Sequence, residues 1–168
     1  MPGNDLIHLA IPFFVVLLVL EATISARRGL DLFGRRDTFA SLGLGLGNVV
    51  VGLFWKGVAL AGYTAVHQWA LFDFGTGALA WVAVIVADDF VYYWWHRLHH
   101  EIRFFWASHV SHHSSRRYNL ATALRQSWTS PFTAFLFHLP LALLGFEPLL
   151  IVAAGSINLI YQFWIHTR

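Results

Sequence analysis

Apolar residues in this chain come in long runs separated by short polar segments. The first run, Leu6–Ala26, is built around IPFFVVLLVLEATISA. It reaches the ~20 residues a helix needs to cross a bilayer core, and Pro12 sits near its start, where proline disturbs a helix least. The polar stretch RRGLDLFGRRD follows. The second run, from Phe39 to about Ala70, is rich in glycine, with Gly43, Gly45 and Gly47 in a G-x-G-x-G pattern. No strand pattern precedes those glycines, so they read as a close helix contact rather than a nucleotide loop. Lys56, inside the run, is expected to snorkel or to lie against another helix. FDFGTG at 72–77 is a turn, and the third run is Ala78–Trp95. A polar region covers His96 to about Ser127. Beyond Pro131, FTAFLFHLPLALLGF and LLIVAAGSINLIYQFWIH predict a helical hairpin turning near Gly145–Pro148. Pro140 should kink its first arm, which is short unless residues from about Leu124 join it.

These runs predict an all-α, polytopic membrane protein with about four transmembrane helices, organised as one domain over 1–168. Composition agrees: 57% of residues are hydrophobic and 12% charged, against roughly 25% charged in soluble domains. The Arg-rich loops at 27–36 and 97–125 should face the cytoplasm, and the 66–77 turn, which has no Lys or Arg, the opposite side. The hairpin then returns His166 to the side that carries the other polar residues. Basic residues cluster at the ends of apolar runs rather than on one polar face, which argues against nucleic acid as a partner. With no cysteine, disulfides, iron–sulfur clusters and thiolate metal sites are excluded. No basic segment precedes the first run, so it does not read as a cleaved signal peptide.

The polar region carries the chemistry. HRLHHEIRFFWASHVSHH contains six of the ten histidines, in two H-x-x-H-H patterns: His96, His99, His100 and His109, His112, His113. On a helix each triplet occupies a stripe of roughly 100°. Two facing stripes would aim up to six imidazoles at one place, a donor set for Zn, Cu, Fe or Ni. His8, His67 and His138 are isolated and read as packed or snorkelling residues. His166 is intermediate, because topology returns it to the cluster. Asp88 and Asp89 end an apolar run, where carboxylates are costly. Asp89 is expected to orient a histidine from a neighbouring helix, or to pair with an Arg such as Arg125. Glu21 has no assigned role. A zinc protease would need H-E-x-x-H, which is absent. A bis-histidine haem would place ligands singly in separate spans, and a metal transporter would place them along the membrane depth. What remains is a multi-histidine site at the membrane edge beside apolar walls, which suits oxygen chemistry on a lipid, although spacing alone does not select iron.

DDFVYYWWHRLHHEIRFFWASHVSHHSSRRYNLATALRQS resembles the fatty acid hydroxylase/sterol desaturase superfamily of membrane di-iron enzymes. YNLATALRQS and YQFWIHT look most like its alkylglycerol monooxygenase branch. The family pattern H-x-x-x-H falls on His96 and His100, and H-x-x-H-H on His109, His112 and His113. His99 fills a position where the family does not require histidine, and His166 matches the histidine of the relatives' WIHTE, where this chain has Arg168. The resemblance implies two irons, dioxygen as co-substrate, a lipid substrate and an external electron donor. It implies hydroxylation of a lipid C–H bond, in the alkylglycerol branch beside an ether oxygen, with Tyr118, Asn119 and Arg125 lining the site beside Asp89. The family's third histidine cluster would lie downstream of Arg168, so the domain is expected to be incomplete and part of the metal site missing. Alternatives are a desaturase or sterol oxidase of the same superfamily, or a non-catalytic membrane remnant that binds metal.

Overall fold

The computed structural model describes residues 6–165, and every regular element among them is helical. The helices are α1 (Leu6–Arg28), α2 (Arg35–His67), α3 (Ala78–Glu101), α4 (Arg103–His109), α5 (Leu120–Ala123), α6 (Ser130–Leu144) and α7 (Pro148–Trp164), with a 3-10 turn at His112–Ser114. Three of them, α1 from Leu9, α2 and α3, are long and apolar enough to cross a membrane. α6 and α7, of 15 and 17 residues, are about 22 and 26 Å long, short of the ~30 Å hydrocarbon core. Residues 124–129 do not lengthen the first arm of the hairpin, which begins at Ser130, and α6 continues through Pro140. Large apolar side chains face outward along the long helices, among them Val16, Phe39, Leu46, Phe54, Leu79 and Phe90, each more than 60% exposed. An apolar exterior on this scale requires lipid rather than water around it; the protein is an integral membrane protein.

The core lies where α2, α3, α6 and α7 meet, around Tyr63, Val84, Ala142, Ile151 and Ala154. A second cluster packs α1 against α5 and α7, with Phe14 stacked on Phe163 at 4.1 Å. The small-residue contact expected of α2 is present at two of the three glycines. A Cβ on Gly45 would come within 2.8 Å of the Leu124 carbonyl, and one on Gly47 would enter the Trp128 ring. Trp128 donates its indole N–H to the Leu44 carbonyl (3.0 Å). The turn between α6 and α7 is where the sequence puts it. Gly145 is left-handed (φ 116°), Phe146 N–H returns to Leu141 O (3.1 Å), and a Cβ at Gly145 would meet the Phe72 carbonyl.

The two ends of the bundle differ. At one end the 66–77 connection meets the α6–α7 turn through Leu71 N–H to Leu143 O (2.9 Å) and stacked Phe74 and Phe146. At the other end the α1–α2 connection meets the polar region: Arg117 pairs with Asp31 (2.7 Å) and Asn119 Nδ2 donates to Leu32 O (2.6 Å). The two Arg-rich loops therefore share one end, as their charge predicts.

Inside the bundle a polar clasp joins three helices. Asp88 on α3 is 2% exposed, the one buried carboxylate among the described residues. Its Oδ2 accepts from Asn158 Nδ2 of α7 (3.1 Å), and its Oδ1 lies 3.2 Å from His138 Nε2 of α6. His138 Nδ1 donates to Ala134 O (2.7 Å), which aims Nε2 at Asp88 and completes the clasp. Asp88→Ala should lower stability by about 2 kcal/mol or more, because it strands an amide and an imidazole in an apolar interior. Adding His138→Leu should cost less than the sum of the two single changes. Thermal unfolding of the detergent-solubilised protein measures both.

Candidate metal centre

α3 ends at Ile102, an extended residue (φ −102°, ψ 120°) whose N–H still closes onto Leu98 O. The same residue's carbonyl opens α4 by accepting from Trp106 N–H (2.8 Å). One extended residue between two helices folds α4 back toward α3, and the two histidine stripes come face to face. His96 and His100, one turn apart on α3, meet His109 at the end of α4 and His113 in the 3-10 turn. One side-chain nitrogen from each of the four lies within 4.8 Å of all the others. His100 Nε2 is 3.3 Å from His96 Nε2, and His113 Nε2 is 3.0 Å from His109 Nε2. His109 is the buried floor of the cluster; His100 and His113 form an exposed rim. Beside the rim an open surface depression is lined by His100, Glu101, Arg103 and Trp106. The Trp106 ring stacks on His113 (5.8 Å, 22°).

Burial first, and then the neighbouring His96, His112, His113 and His100, hold His109 far below the ordinary imidazole range. A neutral imidazole is the ligating form. Nitrogens facing one another at 3 Å, with a floor that resists protonation, make a donor set suited to a first-row transition metal, and the residues therefore fit the iron that the sequence resemblance implies.

The other two histidines of the motif are held differently. His112 is 8% exposed and donates from Nδ1 to the Arg125 carbonyl (3.0 Å). That bond fixes the tautomer, leaving the in-plane lone pair on Nε2, and the ring packs 5.4 Å from His109. His99 is fully buried, donates from Nδ1 to Trp95 O (2.7 Å), and faces the Thr133 hydroxyl with Nε2 (3.1 Å). Both its nitrogens are engaged by the fold, so it offers none to the cluster. Thr133 also accepts the Trp95 indole N–H (3.0 Å), which ties the histidine end of α3 to α6. His166 lies outside the described residues.

The remaining expected site residues serve as anchors. Asn119, 2% exposed, caps α5 by accepting from Thr122 N–H (3.2 Å). Tyr118 donates its hydroxyl to the Ile165 carbonyl. Arg125, 8% exposed, takes Asp37 of α2 as its ion-pair partner (2.9 Å). Asp89 points out of the bundle; the carboxylate that meets a histidine of another helix is its neighbour Asp88, on His138. Several residues were not visible as site elements in the sequence. Glu21 accepts from Leu120 N–H (2.8 Å), Asn48 donates to Ser127 O (2.9 Å), and Asp37 and Thr133 hold Arg125 and His99. Each is a long-range contact with no local motif; a carboxylate or amide within an apolar run was the available signal at Glu21 and Asn48.

Comparison with known proteins agrees with this geometry. The sequence profile of the family described as fatty acid hydroxylase matches residues 81–168. The chain belongs to the fatty acid hydroxylase family. The match begins in α3 and includes every histidine of the cluster. Over 167 residues the chain is 37% identical to the alkylglycerol monooxygenase of Homo sapiens, covering 98% of this chain and 37% of that protein. The alkylglycerol monooxygenase of Danio rerio is also 37% identical (96% and 37% covered), and that of Xenopus tropicalis 36% (98% and 37%). The chain thus spans little more than a third of the length of these relatives. No solved structure matches it.

His99→Gln should lower thermal stability while leaving metal stoichiometry unchanged, and His109→Ala should abolish metal binding; elemental analysis of the purified proteins separates the two. The metal-free protein should also lose stability as pH falls below about 6.5. The unfolded His109 imidazole takes up a proton there that the folded one refuses, so the unfolded state gains. Melting temperature against pH, with His109→Phe flattening the slope, checks the sign.

Proposed function

We propose that this protein acts in iron-dependent, membrane-embedded oxygenation, hydroxylating a lipid C–H bond. The observation that carries the reading is the convergence of His96, His100, His109 and His113, four imidazoles at the edge of an apolar bundle. These four would hold iron, with His112 presented beside them in a ligating tautomer and His166 as a further donor. Two ions are the expected complement. Bound iron would supply the activation of dioxygen that an unactivated C–H bond requires.

The chain's own residues do the rest. His109 stays neutral at the floor and holds its lone pair ready. His99, Trp95 and Thr133 set the height of α3 against α6, and so the height of His96 and His100. The apolar faces of the long helices give an aliphatic chain a place to lie next to the cluster without leaving the bilayer. The open rim depression at Glu101, Arg103 and Trp106 is the place where an external electron donor would approach the histidines. Tyr118, Asn119 and Arg125 belong to the frame around the site. The charge of the Arg-rich end supports a cytoplasmic position for it and for the histidines. The relatives' name makes alkylglycerols the first substrates to try, with oxidation beside the ether oxygen yielding an aldehyde.

The test is iron content of the purified protein in lipid nanodiscs, followed by product analysis with an alkylglycerol, dioxygen and a chemical reductant. Iron bound in the parent and lost in His109→Ala/His113→Ala, together with an oxygenated or cleaved lipid product, is the expected result. A protein that binds no iron, or binds it without oxidising any lipid offered, would leave the reading without support.

A further inference from the structure

We propose that Asp37, near the start of α2, is a positioning residue for the histidine site: through Arg125 it holds the turn that presents His112 and His113. The inference rests on the metal-site reading above for its purpose, though not for its geometry. Arg125 reaches three parts of the chain. Its Nε donates to Ser111 O (3.0 Å) and lies 3.1 Å from Ser114 Oγ, so it grips the turn on both sides of the His112–His113 pair. Its Nη1 donates to Asp37 Oδ1 (2.9 Å) and to Ser41 Oγ (3.3 Å), both on α2. The backbone carbonyl of the same residue accepts His112 Nδ1–H (3.0 Å). The second Asp37 oxygen accepts from Ser115 Oγ (2.5 Å), at the exit of the turn.

The 3-10 turn itself is three residues long, too short to fix its own orientation by backbone bonds. Side-chain contacts must set it, and the Arg125 fork makes two of them. A guanidinium this buried stays in place only with a carboxylate opposite it; without one it turns toward water. Asp37 supplies that carboxylate from 88 positions earlier in the chain. Removing it releases Arg125, and with it the grip on Ser111 and Ser114 and the seat of His112. Partners that orient a ligating histidine typically affect metal affinity by about 10- to 100-fold.

The experiment uses the full 168-residue chain in nanodiscs, metal-free, with diethyl pyrocarbonate as a histidine label mapped by mass spectrometry, followed by Fe(II) titration. The variants are Asp37→Ala, Asp37→Asn and Ser115→Ala. Asn158→Ala serves as a control that loosens α7 from α3 away from the clustered histidines. Buried His112 should label slowly in the parent and severalfold faster in Asp37→Ala, with Asp37→Asn and Ser115→Ala between them. Asn158→Ala should lower the melting temperature without changing His112 labelling. Fe(II) affinity should fall in the same order. Unchanged His112 labelling in Asp37→Ala and Ser115→Ala, or an equal rise in the Asn158→Ala control, would overturn the proposal. If the parent binds no Fe(II) but His112 is released by Asp37→Ala, the positioning stands and the iron reading falls. If Fe(II) binds equally to parent and variants with labelling unchanged, the reverse holds. Should Asp37→Ala fail to fold, Ser115→Ala and Asp37→Asn decide the question alone.

Discussion

The break at Ile102 is the constraint on which the site depends. Two H-x-x-H-H patterns on one unbroken helix would sit about 20 Å apart along its axis and never meet. A single extended residue, bonded as the last donor of α3 and the first acceptor of α4, turns that linear repeat into a face-to-face arrangement. The bundle then has to keep both partners at fixed heights. α3 is held at two levels, by Thr133 on His99 and Trp95 and, deeper, by the clasp of Asp88 with His138 and Asn158. α4 and the following turn have no such depth in the bundle and are fixed instead by the polar segment that returns from 115 to 130.

That returning segment explains why so many polar groups surround a protein this apolar. α5 is four residues long and buried throughout. A helix so short cannot satisfy its own backbone, so its cap residue and neighbouring helices supply partners for the segment. Glu21 of α1 accepts from Leu120 N–H, Asn119 caps Thr122, and Asn48 of α2 meets Ser127 O. Gly45 and Gly47 let α2 approach closely enough for Leu124 and Trp128 to seat. The stripe of small residues and the scattered polar residues of the first two helices thus belong to one arrangement, a polar insertion wedged into the end of a helical bundle.

Much of this was legible in the chain. Length and hydropathy marked the long helices, and the turn at Gly145 followed from a Gly–Pro spacing. Six imidazoles at helical spacing pointed to a cluster, and four of them converge. What the pattern did not carry was rotational detail. Asp88 and Asp89 are adjacent, and nothing local decides which one turns inward; packing against α6 and α7 chooses Asp88. His99 shares a stripe with His96 and His100 on a helical wheel, yet Thr133, 34 residues on, draws it out of the cluster. Arg125, Asn119 and Tyr118 stood out as polar residues near histidines, and their partners across the sequence show them holding the backbone in place.

The arrangement of the four clustered histidines, with His109 beneath and His100 and His113 at the rim, bears on how the centre is assembled. Its deepest donor is set by helix packing, while its outermost donors remain reachable from water. A donor set of this shape keeps its outer nitrogens open to solvent after the helices have packed, so an ion would not have to pass through the core to reach them.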